Sequence, residues 1–80
     1  MNGLINNIGK VHTTEMGIVR IKRNLSLAIA DEDVVEYCKG LILDKGAVIE
    51  RKGKNWYVTV GGLVITVNSS SYTIITAHKA

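Results

Sequence analysis

A carboxylate, a cation, a phenol and several hydroxyls recur in the second half of the chain, as Glu50, Lys52, Tyr57, Thr59, Thr66, Ser71 and Thr73. Gathered on one rigid surface, such groups bind or cleave a phosphodiester: the carboxylate moves a proton, and cations and hydroxyls stabilise charge developing on phosphate oxygens. Two histidines, His12 and His78, stand at joints between patterned segments. A histidine serves as general acid or base near neutral pH, although His78 equally suits a hydrogen bond to backbone at a chain end. His12-Thr13-Thr14 is ambiguous, because either threonine can cap the helix that follows. Cations cluster at Arg20–Arg23 and at Arg51–Lys54. If the fold joins these clusters they attract phosphate backbones or an acidic protein, and otherwise they are solvated faces. Two histidines without cysteine or carboxylate at ligand spacing do not read as a zinc site, and the single Cys38 excludes an internal disulfide. No spacing implies a cofactor.

The elements that hold these groups must come from 80 residues, of which 46 % are hydrophobic and 21 % charged, with a net charge of +3. That length is one domain, and the composition argues against disorder. No apolar run approaches the roughly 20 residues that cross a bilayer, and the first residues lack the pattern of a secretory signal, so the expectation is a cytoplasmic protein without membrane contact. Charge is segregated along the chain: residues 1–30 carry +3, residues 31–44 carry −4 and residues 45–80 carry +4.

The first half reads as helical. Leu4, Ile5, Ile8 and Val11 follow the spacing of one helix face, with Asn2 as N-cap and Gly9 weakening the helix by about 1 kcal/mol relative to alanine. A second helix runs from Thr13 or Thr14 to about Leu25. It gathers Ile18, Ile21 and Leu25 on one side and leaves Arg20 and Arg23 as a basic stripe on the other. Asp31, Glu32 and Asp33 begin a third helix, where three carboxylates suit capping and the helix dipole better than a metal. Its apolar stripe includes Cys38, which therefore reads as a buried small hydrophobe.

After Lys45-Gly46 the period changes to two. Strands are expected over about 47–52, 55–60, 63–68 and 71–77, joined by two-residue turns at Gly53-Lys54 and Gly61-Gly62 and a tight turn over 68–71. These turns place Val60 opposite Leu63, Val58 opposite Ile65 and Trp56 opposite Val67, with Ile49, Tyr72 and Ile74 on the same apolar face. Parity extends that core face to His78. The opposite face collects Glu50, Lys52, Asn55, Tyr57, Thr59, Thr66, Asn68, Ser71 and Thr73. It is the candidate phosphodiester surface, and it is also what the solvated side of an antiparallel sheet looks like. The expected architecture is α+β, with about three N-terminal helices in residues 1–45 packed on one face of a four-stranded antiparallel meander in residues 46–80.

The segments His12-Thr13-Thr14-Glu15, Arg20–Leu27, Val48–Val58 and Ser71–Lys79 resemble a small family of uncharacterised bacterial proteins, a domain of unknown function, over nearly the whole chain. More distantly, helices followed by a four-stranded sheet that ends in Tyr72-Thr73-Ile74-Ile75-Thr76-Ala77-His78-Lys79 resemble the barnase, colicin D and RelE-like ribonucleases, a superfamily that cleaves RNA. That resemblance implies site residues at Ser71, Thr73, Thr76 and His78, and phosphate-binding cations such as Arg51, Lys52 and Lys54.

Together these features lead to the expectation of a toxin-like ribonuclease making a metal-independent 2′-hydroxyl attack on the neighbouring phosphate. Glu50 or His78 handles the proton, Arg51, Lys52 and Lys54 hold phosphate, Tyr57 stacks a base, and Ser71 and Thr73 position the backbone. The alternative is a non-catalytic module, from a mobile element, that docks on nucleic acid, on an acidic protein or antitoxin, or on a second copy of itself. Its contacts are Arg20 and Arg23 or an exposed sheet edge.

Overall fold

The computed structural model describes residues 3–80. Its principal helix, α2 (Glu15–Leu25), starts where the Thr14 hydroxyl accepts a hydrogen bond from the Gly17 amide at 3.0 Å. Glu15 in the first turn and Lys22 and Arg23 in the last match the helix dipole. The helix stops at Ser26, which takes a left-handed φ of 55° while the Leu27 amide reaches back to the Lys22 carbonyl. Ile21 and Leu25 are buried and Ile18 packs against the core, whereas Arg20 and Arg23 are exposed, as the apolar spacing requires.

The segment before α2 is not the continuous helix that its apolar spacing predicts. Only Gly3–Asn6 is α-helical (α1), followed by a 3-10 turn over Ile8–Lys10. The Asn7 side-chain amide donates to the Gly3 carbonyl at 2.8 Å, a bond of the kind that competes with helix propagation. Leu4 and Val11 still reach the core, but Ile5 is 41 % exposed. Asn2, expected as the N-cap, lies outside the described residues.

The acidic run forms a 3-10 turn, Asp31–Asp33, before α3 (Val34–Ile42), and none of its side chains makes a capping hydrogen bond. Asp31 instead pairs with Lys22 at 2.8 Å, tying this turn to α2. In α3 the stripe Val34, Cys38 and Ile42 is fully buried. That burial pushes the Cys38 thiol up to about 11, so it is an inert core group.

Strands β1 (Val48–Lys52), β2 (Asn55–Val60), β3 (Leu63–Asn68) and β4 (Ile74–Lys79) form an antiparallel meander in the order β1-β2-β3-β4. Gly61 and Gly62 both take positive φ, which matches the twist of a two-residue hairpin turn. The pairs Trp56–Val67, Val58–Ile65 and Val60–Leu63 follow from the turn lengths as expected. One sheet face packs on the helices: Trp56, Val58, Val60, Ile65, Val67, Ile74 and Ala77 join Ile21, Leu25, Val34, Cys38 and Ile42 in one core.

The last strand departs from expectation. It starts at Ile74, after a turn that extends through Thr73, and it carries a bulge, because Val67 pairs with Ile74 while Thr66 pairs with Thr76. Ile75 is the extra residue, and it shifts the parity of everything after it. Ala77 therefore faces the core opposite Ile65, and His78 lies opposite Val64 on the open face, correcting the expectation that His78 continues the core face.

Candidate functional site

Asn68 ends β3, and its side-chain oxygen accepts from the amides of Ser70 at 2.9 Å and Ser71 at 3.0 Å. The Asn68 backbone closes the turn, its amide donating to the Thr73 carbonyl and its carbonyl accepting from the Tyr72 amide. To complete this path Tyr72 adopts φ 60°, a left-handed conformation that a bulky residue keeps only when its surroundings over-determine it. They do so here. The Tyr72 carbonyl accepts from the His12 amide at 3.1 Å, and its ring stands 5.4 Å from the Trp56 ring. The Lys10 ammonium lies 5.6 Å from the Tyr72 ring centre and the Arg51 guanidinium 5.6 Å from that of Trp56, so cations flank the aromatic pair.

His12 is extended and bridges to Thr73 in parallel fashion, with the Ile74 amide donating to its carbonyl at 2.7 Å. This contact sets side chains in a row. The Ser71 and Thr73 hydroxyl oxygens are 2.7 Å apart, Thr73 Oγ1 is 3.1 Å from His12 Nε2, and His12 Nδ1 is 2.8 Å from the Lys10 carbonyl. A carbonyl only accepts, so Nδ1 carries a proton; in the neutral ring Nε2 is then bare and accepts from Thr73, and the one proton of the Ser71 hydroxyl is shared between Thr73 Oγ1 and Asn68 Oδ1, which stands 3.2 Å away. The remaining residues of the triplet are spent on structure. Thr13 donates to the Ile74 carbonyl at 2.8 Å and Thr14 caps α2.

The β1–β2 turn meets this turn at the same end of the sheet, where the Ser69 amide donates to the Lys54 carbonyl at 2.8 Å. Arg51, Lys52 and Lys54 are all exposed there, and Arg51 Nε donates to the Gly53 carbonyl at 3.0 Å. The turn that carries Lys54 is thus joined to the turn that carries Ser71, and Lys52 shares the open face, whereas Arg51, paired with Trp56 and lying over its ring, is on the core side of β1 and is not brought to the hydroxyls.

The open face continues from this end in rows across the strands. Lys52, Asn55 and Asn68 form the first row and Glu50, Tyr57, Thr66 and Thr76 the second, while Val48, Thr59, Val64 and His78 form the third. The Tyr57 hydroxyl lies 3.5 Å from the Asn55 amide nitrogen, and the buried Asn55 Oδ1 has no hydrogen-bond partner among the described residues. Thr76 is drawn toward α2, where the Asn24 side-chain amide reaches its hydroxyl at 3.5 Å and the Ala77 carbonyl at 3.2 Å. Glu50 and His78 stand on the two edge strands, about 14 Å apart at the ~4.8 Å spacing of neighbouring strands, so they do not act as a pair on one atom. His78 Nδ1 lies 3.0 Å from the Lys79 carbonyl. Arg20 and Arg23 belong to α2, which packs on β4, so the two basic clusters lie at opposite margins of the sheet and do not merge.

The residue that sequence reasoning left unassigned is His12. Its partner Thr73 is 61 residues away, and only the bridge between the N-terminal segment and the β4 edge brings them together.

Among the described residues no helix is long and apolar enough to cross a membrane. No curated protein and no solved structure matches the chain. A family model does match, over residues 5–78 and so nearly the whole chain, and the chain belongs to the family described as Protein of unknown function (DUF3781).

Proposed function

We propose that this chain is an RNA-directed, toxin-like ribonuclease that acts without a metal. The observation that carries this reading is the hydrogen bond from Ser69 to Lys54, which joins the basic turn to the hydroxyl-bearing turn at one end of an open polar sheet face. Lys52 and Lys54 hold the phosphate backbone on the open face, Arg51 meets it from the core side of the β1–β2 turn, Tyr57 stacks a base on the row next to Lys52, and Ser71 and Thr73 position the sugar-phosphate. Thr76 lines the same face further along β4. Cleavage is an internal transfer: the 2′-oxygen bonds to phosphorus, the bond to the 5′-oxygen breaks, and a cyclic phosphate is left. Glu50, one row from the cations, takes the 2′-hydroxyl proton, and the departing 5′-oxygen is protonated from water. His78 faces a neighbouring stretch of the strand.

A second reading is supported by the edge of the sheet. Val48 on edge strand β1 is 58 % exposed, and Arg20 and Arg23 are exposed on α2. A non-catalytic module would use these features to take up an added strand or an acidic protein partner, an antitoxin or a second copy of the chain.

Induced expression in a bacterial host, with growth and total RNA followed together, separates the two. The nuclease reading predicts arrest with RNA fragmentation that Glu50→Ala/His78→Ala abolishes. Normal growth over intact RNA transfers the function to the binding module, for which charge reversal at Arg20 and Arg23 then removes partner capture while Glu50 and His78 substitutions do not.

A further inference from the structure

The histidine–hydroxyl row at the β4 edge has the geometry of an activated nucleophile, whereas the ribonuclease reading uses Ser71 and Thr73 only to position the substrate and gives His12 no role, because there the attacking oxygen belongs to the substrate. We propose that Thr73 is a nucleophile toward phosphoryl electrophiles, with His12 as its general base. Three observations carry this. The nucleophile–base contact is 3.1 Å, and the base is held from behind by the Lys10 carbonyl at 2.8 Å, which fixes the tautomer that leaves Nε2 free to accept. The hydroxyls of Ser71 and Thr73 meet at 2.7 Å only because Tyr72 between them is held at φ 60°. Strain of this kind persists when other contacts over-determine it, and its consequence here is to aim two hydroxyls at one place. Finally, the row is accessible, since His12 and Ser71 are exposed and Thr73 half-buried, and the two chain segments that build it carry positive charge close by: Lys10 lies two residues before His12, and the Ser69–Lys54 hydrogen bond ties the basic β1–β2 turn to the turn that carries Ser71, which favours a phosphoryl substrate over a neutral acyl one.

In the step, a bond forms from Thr73 Oγ1 to phosphorus while the hydroxyl proton passes to His12 Nε2. The bond from phosphorus to its leaving group breaks, and that group departs with the electron pair. His12 Nδ1 keeps its proton, directed at the Lys10 carbonyl, and the Ser71 hydroxyl, held by Asn68 Oδ1 at 3.2 Å, stands 2.7 Å from the attacking oxygen.

The test is labelling of the purified chain with diisopropyl fluorophosphate, in which fluoride is the leaving group, read by intact mass and by peptide mapping. The expected result is a single adduct on Thr73 that is lost in Thr73→Val, kept in Thr73→Ser and slowed at least tenfold in His12→Ala. Imidazole added to His12→Ala restores labelling, a rescue that a merely structural role of the ring would not give. His12→Ala keeps the backbone amide and carbonyl that bridge to β4, and matching circular dichroism and melting curves confirm that the variants compared are folded. Absence of an adduct on the folded wild type, an adduct on another residue, or labelling indifferent to His12→Ala each overturns the proposal. None of these outcomes depends on whether the protein cleaves RNA.

Discussion

Gly17→Ala sets two effects of known size against each other. In an exposed helix interior alanine is favoured over glycine by about 1 kcal/mol, and for Gly17, buried in the first turn of α2, that figure is the upper limit of what propensity alone contributes. At this position, however, an added Cβ would collide with the Thr13 hydroxyl and stand 3.3 Å from Thr13 Cβ and 3.4 Å from Thr14 Oγ1. Rotating Thr13 out of the way breaks its hydrogen bond to the Ile74 carbonyl, a loss of about 1 kcal/mol. It does not relieve the other two contacts, so the N-terminus of α2 must shift, at an overpacking cost of about 1–3 kcal/mol. The costs win, and the net expectation is destabilisation by about 1–3 kcal/mol in urea unfolding. A double-mutant cycle isolates the share of the hydroxyl: in a Thr13→Ala background the hydroxyl and its hydrogen bond are gone while the contacts with the Cβ of residue 13 and Thr14 Oγ1 remain, so Gly17→Ala costs about 1 kcal/mol less than in the wild type. A single Gly17→Ala variant more stable than the wild type by the full propensity gain would refute the packing of α2 against β4 described above.

Other consequences follow from the core and the basic turn. Ile65→Ala removes a fully buried side chain at the centre of the sheet and should cost about 2–5 kcal/mol, a large share of the stability of so small a domain, measured by thermal melting. Cys38 should react with a thiol reagent only on unfolding, at a rate that follows added denaturant. Its folded pKa is raised from an ordinary value of 9.0 to about 11, so the fold disfavours the thiolate: this contribution to stability is fully present below pH 9 and is lost as pH rises toward 11, which pH-dependent melting of wild type against Cys38→Ala would register. Reversing Arg51 and Lys54 to glutamate should weaken binding of single-stranded RNA and flatten the slope of log affinity against log salt by about 0.7 for each phosphate that is no longer neutralised, with titrations across a salt series as the readout.

The hairpins were legible because two-residue turns leave no freedom. Gly53-Lys54 and Gly61-Gly62 fix the pairings of β1 with β2 and of β2 with β3, and from these follow the apolar face and the open rows that hold Glu50, Lys52 and Tyr57. The β3–β4 connection was not legible, since Asn68 side-chain bonds and the left-handed Tyr72 lengthen the turn and Ile75 adds a residue that period-two counting does not detect. That single bulge decides which face His78 occupies. The N-terminal segment misled for a different reason. Its apolar residues keep a helical spacing, but Asn7 bonds back on the chain and the segment then extends, so that His12 can pair with β4. Ser71 and Thr73 were found as polar positions of the last strand, whereas their relation to His12 is a tertiary fact.

In the proposed function the joined turns at one end of the sheet handle a ribose phosphate. It is tested most directly by incubating the purified protein, in a chelator-containing buffer, with a single-stranded RNA oligonucleotide and with the same oligonucleotide carrying 2′-deoxyribose at every position. Fragments ending in a 2′,3′-cyclic phosphate are expected from the first and none from the second, with cleavage lost in Glu50→Ala and in the Arg51→Glu/Lys54→Glu variant. An intact RNA oligonucleotide, or equal cutting of the deoxyribose strand, would contradict it.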